Sequence, residues 1–180
     1  NAQSTDVIMN PGTDGTTVNT CLGGLYDSGG TGANAPYQNN ESLVITVCPD
    51  VPGDFMTLQW TVFSLDPTDN VPGPPTDADN ITIYDGPNTA SPTLGTYYAG
   101  DLDPGDLFGA TPANPSGCLT IEFNSNANGT GDFNAQLSCE TPCDPPTAVG
   151  EIVGGPAPDS IAVCVGDPVT FQDAGSTAGP

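Results

Sequence analysis

The chain has 180 residues, with 22 acidic residues and no lysine, arginine or histidine, so its formal net charge is −22. Without basic side chains it cannot form internal salt bridges, and it lacks the basic footprint that binding to nucleic acid or to an anionic membrane requires. Glycine and proline number 23 and 20, but aliphatic and aromatic residues recur in strand-like patches, which predicts an all-β protein with many turns.

Strand-forming segments follow one another through most of the chain and are separated by turn residues. In chain order they are 6–9, 16–21, 42–48, 55–65, 79–86, 95–99, 119–123 and 133–137. In the segment 55–65, alternation places Leu58, Trp60 and Val62 on one face, with Trp60 in the core. Short strands at this spacing predict an antiparallel β-sandwich.

The segment 79–86 combines core residues with a carboxylate. Ile81 and Ile83 share one face, and Asp79 has the same parity at the start of the strand. Asp79 should therefore point toward the rim of the core, where a carboxylate needs a hydrogen-bond donor or a cation. No basic side chain is present to supply either.

The composition changes after Cys139. Residues 140–159 are rich in proline, glycine and alanine and are typical of a linker, and residues 161–171 give a new strand pair split by Gly166-Asp167-Pro168. The remaining chain is too short to bury a core of its own. We therefore expect a β-sandwich over 1–139, a linker over 140–159 and an incomplete β unit over 160–180.

Cysteine usage indicates the compartment. The chain has an even number of cysteines and no close Cys/His cluster, which favours disulfides over zinc and an extracellular setting. The six are Cys21, Cys48, Cys118, Cys139, Cys143 and Cys164. No hydrophobic run is long enough to span a membrane. The chain begins at Asn1 without a basic signal region, so we expect a mature or excised piece of a secreted protein.

A series of short motifs between residues 21 and 139 occurs in a recognisable order. They are 26–30 (Tyr-Asp-Ser-Gly-Gly), 37–41 (Tyr-Gln-Asn-Asn-Glu), 45–49 ending in Cys-Pro, 63–66 (Phe-Ser-Leu-Asp), 79–86 with Tyr-Asp-Gly, 94–97 (Leu-Gly-Thr-Tyr), 117–126 and 132–135. Together they resemble a CUB domain of the secreted bacterial kind. The resemblance covers about two thirds of the chain, and it implies an extracellular β-sandwich that binds proteins or glycans.

The tail carries a second, shorter resemblance. Residues 161–171 (Ile-Ala-Val-Cys-Val-Gly-Asp-Pro-Val-Thr-Phe) are similar to the start of a polycystic-kidney-disease-type (PKD) immunoglobulin-like repeat. A CUB module followed by such repeats implies a large secreted or surface-attached bacterial protein, of the kind that leaves by type IX secretion.

The resemblance also implies a calcium site at one end of the sandwich. Carried over to this sequence, the family's ligands become Asp66, Asp79 and Asn126, with Tyr37 in support. The third ligand is an acid in the family and an amide here, and Asn128 stands where a hydroxyl is expected. Oxygen-only ligands favour Ca²⁺ over transition metals, but the lower charge should weaken binding.

Six cysteines allow fifteen pairings, and we predict the sequential one. The linker sets Cys143 and Cys164 apart from the others, and Cys118 and Cys139 lie at the ends of the two closing strands. The expected bridges are therefore Cys21–Cys48, Cys118–Cys139 and Cys143–Cys164. The family's usual second disulfide uses a cysteine before the Tyr-Asp-Gly strand, and this sequence has none there. The resemblance therefore implies that Cys118–Cys139 replaces that disulfide.

Other features have simpler interpretations. The Gly-rich segment 27–32 lacks the lysine and helix of a phosphate-binding loop and is read as a surface loop. Glu41 is assigned to a turn rather than to the metal site. Of the adjacent Tyr97 and Tyr98, one should face solvent, where edge packing is favoured over stacking on a sugar. Without histidine or lysine, triad chemistry is excluded, and we expect no enzyme.

Two functions remain open. The chain is either a calcium-stabilised binding or assembly module of a surface adhesin or appendage, or an accessory carbohydrate-binding domain of a secreted hydrolase. The strands at 161–171 also suggest strand addition to another chain, and so a homo-oligomer or filament. Because a charge of −22 opposes self-association, such assembly should need cations.

Overall fold

The structure is a computed structural model that describes residues 4–31, 35–68 and 77–142. These residues form ten strands, numbered in chain order: β1 (Val7–Ile8), β2 (Thr16–Asn19), β3 (Leu22–Tyr26), β4 (Ser42–Cys48), β5 (Phe55–Ser64), β6 (Asn80–Asp85), β7 (Thr93–Tyr97), β8 (Leu107–Gly109), β9 (Leu119–Asn124) and β10 (Asp132–Glu140). Among the described residues there is no helix that could cross a membrane.

The strands form two five-stranded sheets that pack as a sandwich. The first has the order β1-β3-β10-β5-β8 and the second β2-β4-β9-β6-β7. The pairs β1–β3 and β2–β4 are parallel, and the other pairs are antiparallel. The predicted all-β sandwich is therefore confirmed.

The core follows the predicted alternation in the central strands. In β6, Ile81 and Ile83 are buried and alternate with half-buried neighbours. The inward residues of β9 and β10 are Leu119, Ile121 and Phe123, and Phe133, Ala135 and Leu137, all of which are buried. Apolar residues at every second position give each sheet one face to bury against the other.

The predicted inward face of β5 is wrong beyond Trp60. Leu58 and Trp60 are buried, but Val62 is only half-buried and Phe63 takes the core position. Opposite this point the register with β10 shifts between Asn134 and Ala135. The extra residue is a β-bulge, and one inserted residue turns all later side chains of the strand to the opposite face.

Two strands, β3 and β8, were not anticipated. The sequence of β3 is Leu-Gly-Gly-Leu-Tyr, and glycine normally indicates a turn rather than a strand. β8 has three residues and pairs only with the edge of β5. β10 extends to Glu140, and the rest of the predicted linker beyond Pro142 and the predicted repeat over 160–180 lie outside the described residues.

The disulfide pairing differs from the sequential prediction. The bridges are Cys21–Cys139 and Cys48–Cys118, with Cα–Cα distances of 4.9 Å and 4.1 Å. The predicted Cys21–Cys48 and Cys118–Cys139 bonds are therefore wrong, and Cys143–Cys164 lies outside the described residues.

Strand register explains the observed pairing. Val47 in β4 pairs with Leu119 in β9, which sets the adjacent Cys48 opposite Cys118. Ser138 in β10 pairs with Leu22 in β3, which sets Cys139 opposite Cys21 in the same way. Each disulfide therefore joins two neighbouring antiparallel strands within one sheet.

A buried acid closes the loop after β3. Asp27 is 1% exposed and accepts hydrogen bonds from the Gly29 and Phe133 amides at 2.8 Å and 2.9 Å. Burial raises the pKa of Asp27 to about 7, and the carboxyl of Asp132 adds to the rise, although the two amides lower it. Asp27 thus keeps its proton in the folded state where an ordinary aspartate has lost it.

We expect non-reducing peptide mapping to recover Cys48 linked to Cys118 and Cys21 linked to Cys139. A protease other than trypsin is required because the chain has no lysine or arginine. Cys48→Ser with Cys118→Ser should lower the free energy of unfolding by about 4 kcal/mol, because the bond closes a long loop. Recovery of Cys21 linked to Cys48 would contradict this pairing.

Stability should fall as pH rises through the window set by Asp27. In the unfolded chain this carboxyl ionises near 3.8, but in the folded protein it holds its proton to about 7. The folded state therefore binds more protons between these values, and stability declines there and levels off above them. Asp132→Asn removes the neighbouring charge and should reduce the fall in melting temperature between about pH 5 and about pH 8.

The matched control is Asp50→Asn, which removes the same charge from an exposed position. It should leave the pH dependence of melting close to that of the parent protein. Equal pH dependence in Asp132→Asn and Asp50→Asn would contradict the role given to Asp132.

Candidate metal site

Asp79 is the central residue of the candidate site. It directly precedes β6 and is 0% exposed, which confirms its expected position on the core side of the strand. Its Oδ2 accepts a hydrogen bond from the Tyr37 hydroxyl at 2.6 Å, and its Oδ1 accepts one from the Asn126 amide N–H at 2.7 Å. These two hydrogen bonds offset part of the free-energy cost of burying a carboxylate.

Tyr37 connects two of the predicted ligands. Its ring is 0% exposed and packs edge-on against Phe123, with ring centroids 4.8 Å apart. Its hydroxyl donates to Asp79 and accepts from the Asp66 backbone N–H at 2.8 Å. The rigid ring therefore sets the separation between Asp79 and the loop that follows β5.

Asn126 organises the loop that follows β9. Its Nδ2 donates to the carbonyl oxygens of Thr68 and Asp77 at 2.6 Å and 2.7 Å. Its Oδ1 accepts from the Asn128 amide at 2.7 Å. One amide side chain thus holds together the residues after β5, the residues before β6 and its own loop.

Asp66 is packed against a glycine that sequence reasoning did not select. Its Oδ1 accepts from the Thr68 amide at 2.9 Å. A Cβ at Gly129 would lie 2.0 Å from the Asp66 Oδ2, and Gly129 has φ +58°. The left-handed backbone favours glycine there, and the Asn128-Gly129 pair is the sequence signal that indicates it.

The electrostatics of the site favour a cation. Burial raises the pKa of Asp79, the Tyr37 and Asn126 hydrogen bonds lower it, and the charges of Asp66 and Asp77 raise it further. The net direction is upward, with burial as the largest cause, and the chain has no basic residue to offset it. Asp77 was not among the predicted ligands, although it lies only two residues before Asp79.

The structure brings all four predicted residues into one hydrogen-bonded cluster: Tyr37, Asp66, Asp79 and Asn126. A cleft of about 260 Å³ adjoins it, lined by Asp77, Ala78, Asn80, Asn124, Ser125 and Asn126. The available donors are carboxylate, carbonyl and amide oxygens, which is the set that calcium prefers. The residues therefore fit a calcium ion by chemical type.

A second group has the spacing of a metal site but the wrong chemistry. Among the described residues, Cys21, Asp50 and Cys139 place one ligand atom each within 4.8 Å of the others. The two sulfurs are joined in a disulfide bond, so neither is a thiolate that can bind a metal. No such trio of carboxylates occurs in the described ranges.

The remaining candidates have structural roles. Glu41 accepts hydrogen bonds from the Ser28 hydroxyl at 2.7 Å and from the Gln38 amide at 3.2 Å, so it caps a turn. Tyr97 packs against Phe108 with ring centroids 5.1 Å apart. Tyr97 and Tyr98 are both half-buried, and neither stands clear of the surface.

Comparison with known proteins gives the fold. The chain is similar to the full extracellular region of zebrafish Gpr126/Adgrg6, with 12% identity and a TM-score of 0.51 over 69% of this chain. It is also similar to the CUB1-EGF-CUB2 domain of human MASP-1/3, with 17% identity and a TM-score of 0.50 over 71% of this chain. No family model and no curated protein matches the sequence.

These likenesses show a CUB-like fold, as the sequence motifs implied. The chain spans 14% of the zebrafish structure and 42% of the human one. At such low identity the likeness extends to the fold alone.

Removing the Tyr37 hydroxyl should destabilise the fold more than removing an exposed one. Tyr37→Phe leaves the buried Asp79 with one donor fewer and the Asp66 amide without its acceptor, so we expect a loss of about 2 kcal/mol. Tyr84→Phe is the matched control, because its hydroxyl also donates to a carboxylate, that of Glu122, at 2.6 Å, but on the half-buried outer face. Its cost should be below about 1 kcal/mol.

Chemical denaturation of both variants in a calcium-free buffer measures the difference. Equal losses of unfolding free energy in Tyr37→Phe and Tyr84→Phe would contradict the position given to Tyr37.

Proposed function

We propose that the chain is a calcium-stabilised extracellular binding module, which is the first of the two functions that the sequence left open. The observation that carries this proposal is the buried Asp79, held beside Asp66 and Asp77 in a chain that has no basic residue. Calcium is the common extracellular cation that accepts carboxylate, carbonyl and amide oxygens together.

The residues that would hold the ion belong to three separate loops. They are the carboxylates of Asp66 and Asp79 and the side chain of Asn126, with Asp77 and the Thr68 carbonyl beside them. A bound calcium ion supplies positive charge, which favours the ionised form of the carboxylates. By joining the loops after β5, before β6 and after β9, these residues tie metal binding to the stability of the fold.

The extracellular location is supported by the cysteines. All four cysteines in the described part of the chain are in disulfide bonds, and none of them is free. Such bonds persist in oxidising compartments. The CUB-like fold is consistent with secretion as well.

We propose a binding role rather than catalysis. The sequence has no histidine or lysine, and the carboxylates of the candidate site are engaged by backbone amides and by Tyr37. Proton transfer at neutral pH needs a group positioned on a substrate with a matched pKa. The contacts here are those of a structural site.

The finer proposals rest on the sequence resemblance. A place in a bacterial adhesin or appendage, type IX secretion and a following PKD repeat come from the motifs and from residues 160–180, which lie outside the described residues. A glycan or protein partner and cation-dependent assembly into oligomers belong to the same proposal.

Calcium should raise the melting temperature of the intact chain relative to a chelator. At a hundredfold excess over the Kd, binding to the folded state adds about 2.7 kcal/mol, or roughly 5–10 °C for a domain of this size. Asp79→Asn should abolish the calcium effect.

Asp85→Asn is the matched control, because Asp85 is a buried carboxylate on the same face of β6 at its other end. Asp85 is bound by Thr111 and Asn114, so its loss should lower the melting temperature but keep the response to calcium. Identical melting of the parent protein in calcium and in chelator would contradict the proposal.

A further inference from the structure

An open groove of about 350 Å³ lies on the outer face of the first sheet, and nothing in the candidate metal site uses it. Its lining comes from the segment before β1 and from β3, β5 and β10: Ser4, Asp6, Leu22, Gly23, Gly24, Tyr26, Thr61, Asn134, Ala135 and Gln136. Its volume falls in the range of small-ligand sites.

Two glycines in β3 create the groove. A Cβ at Gly23 would lie 1.9 Å from the Thr5 carbonyl oxygen, so the segment before β1 packs directly on the strand. A Cβ at Gly24 would lie 2.5 Å from the Tyr26 ring, so this ring rests on bare backbone. The Gly24 amide donates to the Asp6 Oδ1 at 3.1 Å, which fixes one wall. The Gly-Gly pair thus accounts for both the wall and the aromatic surface.

Several polar groups in the groove are available for a ligand. Within the described part of the chain, the Tyr26 hydroxyl and the Gln136 side chain make no hydrogen bond, although both line the groove. Asn134 Oδ1 accepts from the Thr61 hydroxyl, which leaves the Asn134 amide donors for a ligand. Asp6 has a second carboxylate oxygen. The groove therefore places hydrogen-bond donors and acceptors near one aromatic ring, that of Tyr26.

The charge and topology of the groove exclude several ligand classes. Among the described residues that line the groove, Asp6 is the only one with a carboxylate, and the chain has no basic side chain, so an anionic ligand would be repelled. The lining is mostly polar, which does not suit a lipid. The strands β3, β10 and β5 each pair on both sides, so an extended peptide finds no free strand edge to join.

We propose that this groove binds a neutral saccharide. Sugars present hydroxyl groups that both donate and accept hydrogen bonds, together with an apolar face, and the groove offers amides, a carboxylate and a tyrosine ring. An aromatic side chain with a polar tip suits a ligand of this mixed character. The inference rests on the proposed binding role of the chain, but it does not depend on calcium.

The test is an NMR titration of the intact isotope-labelled chain with four neutral hexasaccharides: cellohexaose, mannohexaose, xylohexaose and chitohexaose. An acidic hexamer of galacturonate serves as the charged comparison. Each titration is run once in calcium and once in chelator. We expect at least one neutral sugar to shift the backbone amides of Gly23 and Gly24 and the side-chain amide of Gln136, and the acidic hexamer to shift none of them.

Variants then locate the site. Tyr26→Ala should weaken binding at least ~10-fold, and Gln136→Ala about 5-fold, because each removes a main contact. Gln136 is exposed and makes no hydrogen bond within the described residues, so its variant tests the groove without disturbing the fold. The matched controls Tyr84→Ala, on the outer face of the other sheet, and Gln38→Ala, an exposed glutamine elsewhere, should keep the parent affinity.

The inference is overturned if none of the neutral sugars shifts the groove amides at up to ~10 mM, if neither groove variant weakens binding, or if the acidic hexamer binds equally well. Failure of the calcium proposal is a separate result. If sugar binding persists in chelator and the melting temperature does not respond to calcium, the calcium proposal fails and the saccharide proposal stands. If the melting temperature depends on calcium but no sugar binds, the saccharide proposal fails and the calcium proposal stands.

Discussion

Asp79 is a fully buried carboxylate in a chain without lysine, arginine or histidine. Moving a carboxylate out of water is costly unless hydrogen bonds or an opposite charge compensate it. Here the compensation comes from one hydroxyl and one backbone amide, those of Tyr37 and Asn126. Because burial raises the pKa of Asp79 and the charges of Asp66 and Asp77 add to the rise, these hydrogen bonds leave it above its ordinary value. This unbalanced charge is the physical reason for expecting a cation.

The loops at this end of the sandwich depend on the same cluster. Tyr37 anchors the connection between β3 and β4 in the core, and Asn126 joins the loop after β9 to Thr68 and Asp77. At the other end of β6, Asp85 is also buried, but hydrogen bonds within the protein are enough to stabilise its ionised form. Burial acts to raise the pKa of Asp85, but hydrogen bonds from Thr111 and Asn114 outweigh it and lower the pKa. The pKa of the acid that ends β6 is thus lowered by its protein donors, whereas the pKa of the acid just before β6 stays raised.

Much of the fold follows from local patterns. Alternation in 79–86, 119–123 and 133–137 gave the central strands and their buried faces, and the motif match brought Tyr37, Asp66, Asp79 and Asn126 together. The pairing register between strands that are distant in the chain could not be predicted from the sequence. The bulge in β5 reversed the faces of Val62 and Phe63, and the disulfides follow from which strands are neighbours, which the order of cysteines does not encode. Gly129 and the Gly23-Gly24 pair act through close contacts that only the folded chain reveals.

We propose that the Asp79 carboxylate is stabilised by calcium and not by protein donors alone. Its pKa can be measured directly by following the carboxyl carbon of Asp79 by NMR as a function of pH, with and without saturating calcium. We expect a pKa above the usual value near 3.8 in the absence of calcium, and one below it when calcium is bound. A pKa of Asp79 that is the same in calcium and in chelator would contradict it.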